Sequence, residues 1–192
     1  MKKNRHGKAE IFNSNEIVKI RKAMGVFTQH RAIFEVALFT GERIGAILQL
    51  LVDDVFCPNG ELRSKITFRA STRKNKNFTR QVEFHPDLAS FLRAYDPPKD
   101  GYLFPGRDGG HITYNGVYLY WKEIFARCGL SHRGFSCHSA RRWFITQLVE
   151  NGTDIATVQQ ITGHKNTGIL LGYVGENRQR QKKAISLIGV SV

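Results

Sequence analysis

Cysteine is scarce in this chain: three residues in 192, at Cys57, Cys128 and Cys137. An odd number at irregular intervals builds no disulfide framework, so the three read as reduced thiols of a cytoplasmic protein. Cys128, His132, Cys137 and His138 lie close together, but their spacing matches no zinc template, and no metal site is expected. Long apolar runs are absent too, and none approaches the roughly 20 residues that a membrane-spanning helix needs. Residues 1–8 are basic with no apolar stretch behind them, unlike a secretory signal. The triplets Asn77-Phe78-Thr79 and Asn151-Gly152-Thr153 would then never meet the glycosylation machinery. The sequence also lacks a Gly-Lys-Ser/Thr loop for cradling a nucleotide and a cluster of Asp and Glu for holding a divalent cation.

Acidic residues are the other shortage. Asp and Glu number 16 against 29 Lys and Arg, a formal net charge of +13. That excess implies a polyanionic partner, double-stranded DNA ahead of an anionic membrane surface. The membrane is the weaker reading, because no amphipathic helix sets a strongly basic face against an apolar one. The apolar share of 41% is enough for a real core, and 192 residues fit one domain.

Periodicity divides the chain into elements. Residues 1–10 read as a loose basic arm. Asn13 with Glu16 three residues later signals a helix start, and Ile17, Ile20 and Met24 supply its apolar stripe. A second helix is predicted over residues 28–39, broken by Thr40-Gly41, and a third carries Ile44, Ile47, Leu48 and Leu51. The period then drops to two. Leu62, Ile66 and Phe68 alternate with Arg63, Lys65, Thr67 and Arg69, and Phe78, Val82 and Phe84 form a second run. This predicts a hairpin whose tip, residues 71–77, is polar and exposed. Helical stripes return at Leu88, Phe91, Leu92 and Tyr95, at Val117, Trp121, Ile124 and Cys128, and at His138, Arg141, Phe144, Ile145 and Leu148. A short helix with Ile155, Val158 and Ile161 should end at Gly163, followed by helices over residues 167–173 and 176–188. The predicted fold class is mainly α with a small antiparallel β-sheet (α+β).

Four pieces carry chemistry. Arg43 stands at the start of the predicted third helix, where a guanidinium can hold a phosphate through two parallel hydrogen bonds, or can be an ordinary surface group. Between Leu62 and Val82 there are seven basic residues, Arg63, Lys65, Arg69, Arg73, Lys74, Lys76 and Arg80, and no acidic one. Such a stripe suits a phosphate backbone, and also suits a solvated ribbon. His138 and Arg141 share a helix face, which sets a proton-transferring imidazole beside a fixed cation. Gly163-His164 precedes Tyr173, whose phenol is either a half-buried aromatic or a nucleophile in a basic cluster.

In this order and spacing, over residues 11–174, the pieces resemble the tyrosine recombinase family, the phage-type integrases. Thr40-Gly41-Glu42-Arg43 is similar to the segment with the family's first catalytic Arg. His138-Ser139-Ala140-Arg141-Arg142-Trp143-Phe144 is similar to the segment with its His and second Arg, and residues 161–167 to its late His motif. The resemblance implies that Arg43 and Arg141 clamp the non-bridging oxygens of a scissile phosphate. It implies that Tyr173 attacks phosphorus to form a 3′-phosphotyrosyl link. Lys74, with Lys76 as the alternative, would protonate the leaving 5′ oxygen. His138 would manage the tyrosine proton and His164 would hydrogen-bond the phosphate. Arg63, Lys65, Arg69, Arg73, Lys76, Arg80 and Arg142 become candidates for DNA contact. The covalent link stores the bond energy, so no cofactor, ATP or metal is expected.

The family usually places an acidic residue three after the first Arg, where this chain has Ala46. A bracing carboxylate would then be missing and activity weakened. The expected organisation is a basic arm at 1–10, a catalytic domain at 11–175 and a tail at 176–192 that docks on a neighbouring subunit or folds back in cis. Full-length relatives carry an N-terminal DNA-clamping domain. The chain therefore reads as a fragment or a short recombinase with weak, salt-sensitive DNA binding, monomeric when free, tetrameric on DNA and associated with the nucleoid. The alternatives are a type IB topoisomerase-like enzyme and a DNA-binding regulator with weakened catalysis.

Overall fold

The computed structural model describes residues 9–73, 78–164, 166–172 and 185–186. The chain divides into two compact units, residues 1–144 and 145–192, with the division inside one helix.

The first unit opens as local rules require. Asn13 caps α1 (Ser14–Met24): its side-chain oxygen accepts from the Glu16 N–H at 2.9 Å, and the Glu16 carboxylate accepts from the Asn13 N–H at 2.8 Å. Two donors that a helix start leaves unpaired are thus satisfied. Thr28 caps α2 (Gln29–Thr40), which is buried continuously from Ala32 to Leu38. The one acid in that stretch, Glu35, is paired with Arg21 of α1 at 2.6 Å and with Arg31, as a buried carboxylate must be. Gly41 ends α2 in the left-handed conformation at φ +58.

α3 (Ile44–Ile47) is a single turn, shorter than its apolar stripe predicts. A distant segment captures the chain: the Val52 N–H donates to the Gly101 carbonyl at 2.9 Å, and the Leu103 N–H donates to that of Leu50 at 2.8 Å. The stripe residues Ile44, Ile47 and Leu48 are buried all the same.

The sheet is a two-stranded antiparallel hairpin, β1 (Lys65–Phe68) against β2 (Arg80–Glu83), with Ile66 opposite Val82 and Phe68 opposite Arg80. Ile66, Phe68 and Val82 face the core. Phe78 falls before β2 and is 47% exposed, with its ring 4.6 Å from the Arg73 guanidinium carbon. α4 (Pro86–Ala94) and α5 (Tyr114–Arg127) bury the predicted Leu88, Leu92, Val117, Trp121 and Ile124. Aromatic rings fill the centre, with Trp121 edge-on to Phe34 at 5.3 Å between centroids. α6 (Cys137–Glu150) crosses into the second unit.

In the second unit, Asp154 caps α7 (Ile155–Thr162), Gly163 ends it at φ +66, and α8 (Thr167–Leu171) follows. Val158 and Leu170 are buried. The expected last helix at 176–188 lies outside the described residues apart from 185–186. Among the described residues no helix is long and apolar enough to cross a membrane. The described residues are therefore mainly helical with one small antiparallel sheet.

Candidate active site

Three segments of the first unit converge on one open cavity of about 290 Å³: the bend between α2 and α3, the start of α6, and Thr72 at the root of the hairpin. Tyr114, at the start of α5, completes the wall. Arg43, His138 and Arg141 all line it, although the first is separated from the others by much of the chain. A direct bond joins the two regions: Arg141 Nη1 donates to the Gly41 carbonyl at 2.7 Å, across 100 positions of sequence. Arg141 is 6% exposed, whereas His138 is exposed at the rim. Among the described residues, none makes a hydrogen bond or ion pair to the Arg43 side chain.

Glu42 is the residue that sequence reasoning missed. Its side chain is 1% exposed. Oε1 accepts from the Arg43 N–H at 2.8 Å, and Oε2 accepts from Arg80 Nη1 at 2.9 Å and Arg73 Nε at 3.2 Å. Arg141 Nη1 stands 3.8 Å from Oε1. Burial by itself pushes this carboxyl up, but Arg80, the Arg43 N–H, Arg73 and Arg141 outweigh it and hold it below the usual carboxylate range. The carboxylate therefore stays ionised among three guanidiniums and one backbone N–H. The only signal in the sequence was an acid beside Arg43, with nothing local to say what it met.

The hairpin charges are not one solvent-facing stripe. Arg73 and Arg80 are buried against Glu42, and Arg80 Nη2 also donates to the Thr40 carbonyl at 2.8 Å. The cause is register: in β2, Arg80 is in phase with the inward Val82, while Gln81 and Glu83 point out. That phase was readable from the alternation. Of the others, Arg63 donates to the Asp53 carbonyl at 2.5 Å, and Lys65 pairs across the sheet with Glu83 at 2.9 Å. Arg69 pairs with Asp54 at 3.1 Å and donates to the Gln49 carbonyl at 2.6 Å. Arg142 donates to the Ala9 carbonyl at 2.5 Å. Lys74 and Lys76 lie outside the described residues, as does Tyr173.

His164 belongs to the second unit and is buried there. Its Nδ1 is 2.5 Å from Thr162 Oγ1, which is itself 2.7 Å from the Val158 carbonyl.

The phage integrase family profile matches residues 10–180. Tyrosine recombinase XerD of Corynebacterium glutamicum is 31% identical over 146 residues, 75% of this chain and 47% of the relative. The chain spans about half the length of the relatives it matches in sequence. Among solved structures, XerH site-specific recombinase bound to its difH substrate superimposes with a TM-score of 0.71 at 22% identity, over 96% of this chain and 56% of that one. The catalytic domain of bacteriophage HP1 integrase does so with a TM-score of 0.67 at 18% identity, over 94% of this chain and 96% of that one. A family match over most of its length, carried on a fold shared with these domains, means that this chain belongs to the phage integrase family.

Proposed function

We propose that the chain is the catalytic part of a site-specific DNA recombinase that breaks and rejoins strands through a 3′-phosphotyrosyl link. The observation that carries this reading is the meeting of Arg43, His138 and Arg141 around one open cavity. Two guanidiniums there can neutralise the charge that builds on a phosphate in the transition state. Arg141 is already fixed by its bond to the Gly41 carbonyl, so little reorganisation is needed when the phosphate arrives. In the proposed reaction Tyr173 attacks phosphorus, His138 takes part in moving the phenol proton and Lys74 protonates the departing 5′ oxygen. His164 hydrogen-bonds a phosphate oxygen. The 5′ hydroxyl of a second strand then attacks the phosphotyrosine and releases the enzyme. The electron pairs balance without redox change, and no cofactor enters. The partner is double-stranded DNA, as the +13 charge favours. The DNA-bound assembly is a tetramer formed from free monomers at the cytoplasmic nucleoid. Arg63, Lys65, Arg69 and Arg142, with Lys76, are the proposed backbone contacts, while Arg73 and Arg80 contribute from within through the charge of the cavity.

The test is a covalent-adduct assay. The protein is incubated with nicked duplexes drawn from its own genomic neighbourhood and denatured, and DNA-linked protein is sought. The expected result is an adduct in the wild type that disappears in Tyr173→Phe while DNA binding by gel shift is nearly unchanged. An adduct that survives in the variant reassigns the nucleophile. DNA binding with no adduct in either protein favours a binding module over an enzyme. Supercoil relaxation without recombinant products favours topoisomerase-like chemistry.

A further inference from the structure

We propose that Glu42 is a positioning residue that sets the orientation of the arginines at the cavity, a role that rests on the phosphate clamp proposed above. The case begins with charge. Three guanidiniums, those of Arg73, Arg80 and Arg141, together with the Arg43 N–H, surround a carboxylate that has almost no access to water. Arginines remain charged when buried, so three of them packed together without an anion would repel and turn outward. Glu42 lets them stay: one oxygen receives both hairpin arginines, at 2.9 and 3.2 Å, and the other faces Arg141.

The second argument is connectivity. Thr40, Gly41 and Glu42 are consecutive, and each holds an arginine from elsewhere in the chain. The Thr40 carbonyl takes Arg80, the Gly41 carbonyl takes Arg141, and the Glu42 carboxylate takes Arg73 and Arg80. The Glu42 side chain also accepts the Arg43 N–H, which fixes the backbone from which the Arg43 side chain departs. One carboxylate thus ties together the Arg43 backbone, Arg141 and the two hairpin arginines Arg73 and Arg80. Ala46 lines the same cavity and brings no charge to it. The loss expected from Ala46 is therefore answered one residue before Arg43 rather than three after it.

The test uses the full chain labelled at arginine nitrogen, with the Nε–Hε resonances followed during titration with inorganic phosphate, in the wild type and in Glu42→Gln. Single Arg substitutions assign the signals. In the wild type, Arg73, Arg80 and Arg141 should resonate apart from solvent-exposed arginines, and phosphate should shift Arg43 and Arg141. In Glu42→Gln the three should collapse toward the solvent position, and phosphate should bind about tenfold more weakly, within the range by which residues in direct contact couple. The sign discriminates. Removing a negative charge tightens anion binding if Glu42 acts by charge alone, so tighter binding overturns the proposal. Unchanged affinity with three dispersed resonances overturns it as well. If phosphate shifts nothing in the wild type, the clamp reading fails, and the dispersion in Glu42→Gln alone decides the role of Glu42. If Glu42→Gln gives no cooperative melt, Glu42→Asp replaces it, because it keeps the charge and withdraws the carboxylate by one methylene. Positioning then requires the same weakening, and wild-type affinity in Glu42→Asp would mean that Glu42 serves folding only.

Discussion

Cys137 stands next to His138 and lines the cavity, where a reactive thiol would compete with the proposed chemistry. Burial pushes that thiol up to about 11, against the lowering effect of its hydrogen bond with Tyr114. Since the thiolate is the reactive form, native Cys137 should resist alkylation at about pH 8. Cys57 is partly exposed and should be labelled by iodoacetamide before it, with Cys137 reacting only once denaturant is added. Peptide mass spectrometry reads the order, and early modification of Cys137 would mean that its surroundings open. The same shift fixes a pH dependence. A folded value raised above the ordinary thiol value of 9.0 contributes stability that is fully present below pH 9 and is lost as pH rises toward 11, because the unfolded thiol ionises first. Stability around neutral pH should not change on this account.

At the scale of elements, the bend between α2 and α3 decides whether the cavity exists. Gly41 is left-handed at φ +58, and a Cβ there would lie 2.3 Å from Phe144 Cδ1 of α6. Gly41→Ala therefore combines backbone strain with a clash in a packed interior, and thermal melts should show a loss of about 2–4 kcal/mol. Gly45 is the control. Its Cβ would meet nothing within 4 Å. It sits in α3, so Gly45→Ala should be neutral or stabilising by up to about 1 kcal/mol. Equal losses in the two variants would remove the bend from the account. The elements that were legible in the sequence obey local rules: the Asn13–Glu16 cap, the Gly41 and Gly163 stops, the alternation of Ile66 and Phe68, and the stripe of α5. Those that were not depend on distant partners. α3 stops early because the strand-like contacts of Leu50 and Val52 are made with residues 101–103. Arg80 looked like a surface charge because residue type outweighed strand phase. Glu42 gave no local cue, since its partners Arg73 and Arg80 lie 31 and 38 positions away. Arg43, His138 and Arg141 stood out in the sequence only through a resemblance, and bond geometry was needed to show that Glu42 accepts the Arg43 N–H and faces Arg141.

Across the whole molecule, the +13 charge is unevenly neutralised. Away from the cavity, Glu35 offsets Arg21 and Arg31, Glu16 offsets Arg133, Glu83 offsets Lys65 and Asp54 offsets Arg69. Arg43 and Arg141 line the cavity, and Arg73 and Arg80 are buried on the same carboxylate, Glu42, so positive charge outnumbers negative where the phosphate is proposed to sit. Duplex affinity should then be dominated by counterion release. If the chain contacts about four to six phosphates, binding should fall roughly 100- to 1000-fold between about 50 and 200 mM salt. The slope of log affinity against log salt reports the number of contacts, and single substitutions divide it. Arg63→Gln and Lys65→Gln, on the exposed side of the hairpin, should each lower the slope by about 1 if they touch phosphate. Arg93→Gln, in the last turn of α4, should leave it unchanged if that helix lies away from the duplex. A slope near zero in the wild type would mean that the net charge does not serve DNA binding. A steep slope insensitive to Arg63 and Lys65 would move the contacts off the hairpin and onto the arginines of the cavity.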